Sequence, residues 1–156
     1  MSLIEKLKSW EGRYLGQGIS HDGEGFQAEL KLESLRDCKG IKLDYTASRE
    51  AQLLHHEHAF LAHDSSGTIC LWALSSNTEG LLCHALIAEE FNALGDHLCK
   101  FEFGDTQTTE GFRENILLTL HKSGALSYSH NWGLPGEALK DNSHAKLFPS
   151  RVSESV

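Results

Sequence analysis

The chain has 156 residues, with 14 Lys and Arg against 22 Asp and Glu, a formal net charge of −8. That length suits one domain around one core. No window is basic enough to neutralise phosphates, which argues against a nucleic-acid partner and against an anionic membrane surface. No apolar run approaches a membrane span, so membrane insertion is not expected. The opening MSLIEKLKSW lacks the apolar stretch and small-residue cleavage site of a signal peptide.

The first element is a short helix. Ser2 followed by Glu5 makes a capping-box pattern, and Leu3, Leu7 and Trp10 recur at helical spacing. A first strand is expected over 10–19, where Gly16 and Gly18 relieve a tightly bent backbone. GFQAELKLESL then sets Phe26, Ala28, Leu30 and Leu32 against Gln27, Glu29, Lys31 and Glu33. This is the period-two pattern of a half-buried strand. GIKLDYTA repeats it, with RDCKG as the turn between. Further strands are expected over 52–63, 68–76, 80–88, 97–104, 111–122, 124–132 and 142–148. Segments such as DSSG, SNTEG and KSG supply turn residues between them.

No strand–helix alternation occurs, which removes a parallel α/β sheet. About ten meandering strands joined by short turns hide their edges best by closing. The expected fold is all-β: an antiparallel up-and-down β-barrel with a short N-terminal helix. A β-sandwich is the runner-up, followed by a double-stranded β-helix of the cupin kind. The barrel is expected to occupy residues 1–150 as one domain, with a tail over 151–156. Cys38, Cys70, Cys83 and Cys99 are widely spaced and form no C-x-x-C. They read as reduced, buried small hydrophobes, which fits a cytoplasmic setting and not a metal–thiolate site.

Candidate site residues follow from strand parity, taking the more apolar face as inward. That rule turns Glu114 inward beside Ile116 and Leu118, and Tyr128, His130 and Trp132 inward on the next strand. It also places Phe26 and Phe101 inside. In LLHHEHAFLAH one face carries Leu54, His56, His58 and Phe60, and the other His55, Glu57 and His63. The first face is taken as inward, because it carries Phe60 and no carboxylate. A pocket lined by Phe26, His56, His58, Trp72 and Phe101 is expected, completed by Glu114, Tyr128, His130 and Trp132. Trp10 and the helix would close one end. Aromatic rings would give contact area and the polar groups would orient a ligand.

Three histidines and a carboxylate also make a ligand set for zinc, iron or manganese. The alternative function is therefore a metal-dependent, cupin-like enzyme using His56, His58, His130 and Glu114. Where a cupin carries Glu after its His-x-His, this chain has Ala62 and His63. A catalytic serine is not indicated, because no G-x-S-x-G occurs. GQGISHDGEG is not a phosphate-binding G-x-G-x-x-G.

WEGRYLGQG, opening a ten-strand meander, resembles the calycin barrels, the lipocalins and fatty-acid-binding proteins, in which a Trp near the start plugs one end. Trp10, Gly12, Gly16 and Gly18 are most similar to the nitrobindin branch, with Lys8 and Tyr14 standing where that pattern has Gly. LHHEHAFLAHDSSGTICLW and FRENILLTL look similar to uncharacterised bacterial relatives of that branch. The resemblance implies a ligand-holding barrel with haem as one cofactor, bound through a late histidine: His144 first, His130 second. The Arg-x-Tyr carboxylate grip of fatty-acid-binding proteins is absent, since Val follows Arg151. The preferred function is thus binding of a small hydrophobic ligand or haem in the interior, without chemistry. A barrel acting only through its surface is a third reading. Oligomeric state is not legible.

Overall fold

The alternation that begins near Gly12 is realised, in the computed structural model, as ten antiparallel strands. These are β1 (Gly12–Ser20), β2 (Gly25–Ser34), β3 (Gly40–Arg49), β4 (Gln52–His63) and β5 (Ile69–Ser75), then β6 (Leu81–Phe91), β7 (His97–Phe103), β8 (Arg113–Leu120), β9 (Leu126–Gly133) and β10 (Lys140–Pro149). Each pairs with the next in sequence, and β1 pairs with β10 to close the barrel. A single closed sheet is neither a sandwich nor a double-stranded β-helix, so both runner-up folds are set aside. The structure describes residues 1–36 and 39–150, and of Asp141 the backbone alone. Cys38, Arg151 and the tail over 151–156 lie outside the described residues.

Helix α1 (Leu3–Lys8) starts as its sequence predicts: the Ser2 side chain accepts a hydrogen bond from the Glu5 amide. Leu3, Ile4 and Leu7 are buried and join the barrel core. Trp10 packs against the same core, half-buried. One end of the barrel is therefore closed, as expected. Above this plug the interior is solid and apolar. Leu30, Leu43, Leu61, Leu71, Phe101, Leu118 and Leu126 are each within 1 % of complete burial. Each such side chain contributes about 1.5–3 kcal/mol by leaving water. Phe101 belongs to this packed half and not to a pocket wall.

Toward the other end the interior changes character. Glu57, His84, Glu114 and His130 are all buried there, with Tyr45 and Tyr128. Gly18 shapes this region: a Cβ built on it would lie 2.3 Å from the Phe26 ring. The missing side chain lets Phe26 lie across β1.

Parity within β4 is the main correction. His56, His58 and Phe60 face outward, while His55, Glu57, Ala59 and Leu61 face inward. The strand carries a register shift against β3, where Ala47 pairs with His55 but Ser48 pairs with Leu53. Leu54 is the bulged extra residue, and it too packs on the core. The apolar-face rule fails here because the inward carboxylate has buried hydrogen-bonding partners waiting for it. Trp72 is also corrected: it pairs with Phe60 and Cys83 on the outer face of β5. Cys83 is exposed, whereas Cys70 and Cys99 are buried as expected. Among the described residues, no helix is long and apolar enough to cross a membrane.

Candidate functional site at the open end

A pocket of about 240 Å³ opens at the end opposite α1. Phe26, Tyr45, Ala47, Leu54 and Trp132 form its apolar walls. Its polar lining includes His55, Arg49, Asn77 and Asn142. β2 and β3 supply Phe26 and Tyr45 from their inward rows, and β9 supplies Trp132 from its own. The β4 bulge brings both Leu54 and His55 to the rim. Asn142 reaches in where β10 shifts register between Asp141 and Ser143, and it donates to the carbonyls of Trp132 and Lys140.

Beneath the pocket lies a chain of polar groups. Glu57 is 1 % exposed and accepts from the Tyr128 hydroxyl. Its other oxygen lies 3.2 Å from His130 Nε2 and 3.7 Å from His55 Nε2. Burial opposes the Glu57 charge, but His130 and His55 outweigh it and hold the carboxyl below its ordinary range. Burial likewise works against a charged His130, and the Glu57 carboxylate reverses the outcome, raising its pKa. The two form a buried ion pair. Tyr128 is raised well above its usual value, first by burial and then by Glu57, so its hydroxyl stays a donor. Beside them, His84 Nε2 meets Glu114 at 2.8 Å, with both side chains buried.

Three polar atoms in this region lack hydrogen-bond partners among the described residues: Tyr45 Oη, His55 Nε2 and His84 Nδ1. Of these residues, Tyr45 and His55 line the pocket. A buried polar atom left unpaired costs about 1–3 kcal/mol. Such atoms under a pocket are where a ligand recovers that cost. The His55 ring is held from behind, with Asn77 Nδ2 lying 2.8 Å from its Nδ1.

The sequence-predicted residues divide into four groups. Phe26 and Trp132 line the pocket. Glu114, Tyr128 and His130 lie inside the barrel, below the pocket lining. His56, His58 and Trp72 belong to the outer wall, and Phe101 to the packed half. The expected metal set of His56, His58, His130 and Glu114 is therefore not assembled, because the sheet separates its two halves. His56 and His58 instead flank Asp44 outside, at 3.1 and 3.6 Å, with ring centroids 4.3 Å apart. His144 is exposed on the outer face of β10, since Ala145 and Leu147 take the inward positions. It borders an outer depression of about 620 Å³ whose lining holds none of the unpartnered atoms. The interior haem ligand expected at His144 is not in place.

Sequence reasoning missed Tyr45, His55 and Glu57. The signal was available: Tyr45 stands in the inward row of its own strand, and the β3–β4 pairing sets it opposite Glu57.

No family model matches this chain, and no curated protein matches it. Among solved structures it is similar to the crystal structure of Rv2717c from M. tuberculosis, with a TM-score of 0.73 and 15 % identity over 97 % of this chain and 99 % of that one. At that identity the likeness shows one thing, a shared barrel fold.

Proposed function

We propose that this barrel binds a small aromatic molecule carrying an oxygen acceptor, such as a carboxylate or carbonyl, and holds it without chemistry. The carrying observation is the pairing of an aromatic-walled pocket with two buried, unpartnered polar atoms, Tyr45 Oη and His55 Nε2. A phenol donates, and so does His55 Nε2 while Asn77 donates to the opposite ring nitrogen. Two donors beneath aromatic walls suit a flat ligand with an acceptor at one edge. The calycin-like resemblance supports the same reading, since those barrels hold ligands in their interiors. At about 240 Å³ the pocket falls below the roughly 300 Å³ at which drug-sized sites begin. That favours a ligand smaller than haem.

The test uses para-fluorobenzoate and fluorine NMR. The free ligand's resonance should broaden on adding the protein, and the broadening should vanish in Leu54→Trp, which fills the pocket from its rim. Broadening that survives Leu54→Trp would assign the binding to another surface. Native mass spectrometry of the protein taken from cells then reads the mass of any resident ligand.

A further inference from the structure

We propose that His55, Glu57 and His130 form a divalent-metal site of the zinc type at the base of the pocket. The inference rests on the pocket reading for access to the ion, and on its own geometry for the ligands. Each of the three residues offers one ligand atom, and these atoms all lie within 4.8 Å of one another. Both imidazoles approach the same Glu57 oxygen, at 3.2 and 3.7 Å. An ion about 2.1 Å from each donor would see those two pairs at angles of about 100° and 124°, on either side of the tetrahedral value of about 109°. Two imidazoles and one carboxylate suit zinc, cobalt or ferrous iron better than calcium or magnesium.

The surroundings support the ligands. Tyr128 donates to the Glu57 oxygen that the imidazoles do not approach, which fixes the carboxylate and leaves the other oxygen for the ion. Asn77 stands behind His55 at Nδ1. Turned over about its own axis, that amide accepts the Nδ1 proton and frees the Nε2 lone pair. Nε2 has no hydrogen-bond partner, and coordination supplies one. His55 also lines the pocket, so the ion keeps a position facing it, where a ligand's carboxylate would coordinate.

Two other clusters are weaker. Asp44, His56 and His58 lie on the open outer surface. Glu89, His97 and Cys99 already face a cation, since Lys6 Nζ lies 3.0 Å from His97 Nδ1.

The full chain, dialysed against a chelator, is titrated with zinc by calorimetry and with cobalt by visible absorption. One equivalent of each should bind, with cobalt giving the ligand-field bands of a nitrogen–oxygen site. His55→Ala should weaken zinc by about 100-fold or more, and so should His55→Gln, which keeps a polar side chain facing Asn77. The outer-face double variant His56→Ala/His58→Ala should bind as tightly as the wild type. Zinc binding abolished in that double variant but untouched in both His55 variants would overturn the inference. So would a wild type that takes up neither ion. Para-fluorobenzoate binding alongside no metal uptake would overturn the metal site and leave the pocket reading standing.

Discussion

Glu57→Gln is the perturbation that most directly tests the buried polar end of the barrel. Glu57 and His130 are each 1 % exposed at the side chain and 3.2 Å apart. An exposed pair contributes about 0–1 kcal/mol, whereas breaking one side of a buried pair costs about 3–5 kcal/mol. Burial decides for the second range. The amide of Gln still accepts from Tyr128, so the lower end, about 3 kcal/mol, is expected. A total stability of about 5–15 kcal/mol leaves the variant folded. The pH dependence is the sharper reading. The Glu57 pKa is lowered on folding, so its contribution is present above the unfolded carboxylate value, about 4.3. It fades as pH falls through the lower folded value. The His130 pKa is raised on folding, so its contribution is complete below the unfolded imidazole value, about 6.5. That part fades as pH rises through the higher folded value. Urea unfolding followed by tryptophan fluorescence from pH 3 to 9 gives both curves. The wild-type minus Glu57→Gln difference should be greatest between those two values and shrink on either side. A difference that is flat in pH, or smaller than about 1 kcal/mol, would refute the ion pair.

Three further outcomes follow from other parts of the fold. Phe101→Ala should cost about 3–5 kcal/mol in urea unfolding, because the ring is completely buried in the packed half. It should leave para-fluorobenzoate binding unchanged, which separates Phe101 from the pocket. Glu50 and Ala51 both have positive φ, 49° and 65°, in the two-residue turn between β3 and β4. That turn suits Asn-Gly, so Glu50→Asn/Ala51→Gly should raise stability by about 0.5–1 kcal/mol and the melting temperature by a few degrees, and a lower melting temperature would count against it. Arg113 is 1 % exposed and donates to the carbonyls of Thr108, Gly111, Leu134 and Glu137. Arg113→Met should cost at least about 1.5–3 kcal/mol, the contribution of one charged hydrogen bond, and speed amide exchange in the loops after β7 and β9.

The barrel was legible because the sequence repeats one physical instruction. Rows such as Phe26, Ala28, Leu30, Leu32 and Ile41, Leu43, Tyr45, Ala47 can bury only one face of a strand, and the turns between are short. The inward choice at Glu114, Tyr128, His130 and Trp132 was legible for the same reason, since apolar residues fixed the parity on either side of each polar one. The β4 parity was not. A bulge at Leu54 adds a residue that no alternation rule anticipates. The next inward residues, His55 and Glu57, are polar because β3 and β9 offer them partners from far away in the chain. Tyr128 is 71 residues from Glu57, and His130 is 73. A rule that reads one strand at a time penalises Glu57 for a burial that its distant partners make tolerable.

That failure carries information about function. In the half closed by α1, the buried inward strand positions are apolar except for His97, whose ring is held by Lys6 and Glu89. In the open half, a barrel needing only stability would do as well or better with apolar groups, because buried ion pairs often lose to well-packed hydrophobic replacements. Yet five strands each commit an inward polar group to one layer: Tyr45 from β3, His55 and Glu57 from β4, His84 from β6, Glu114 from β8, and Tyr128 and His130 from β9. The layer has two carboxylates, yet Tyr45 Oη, His55 Nε2 and His84 Nδ1 still lack hydrogen-bond partners. A purely structural network would close on itself. This one leaves two of those atoms, Tyr45 Oη and His55 Nε2, on residues that line a cavity, which is where an acceptor from outside the chain would complete it. Replacing Glu57, His130 and His55 together by Leu, Phe and Leu should therefore yield a barrel at least as stable as Glu57→Gln alone, with pocket binding lost. A triple variant that still binds para-fluorobenzoate as the wild type does would show that the polar layer is structural after all.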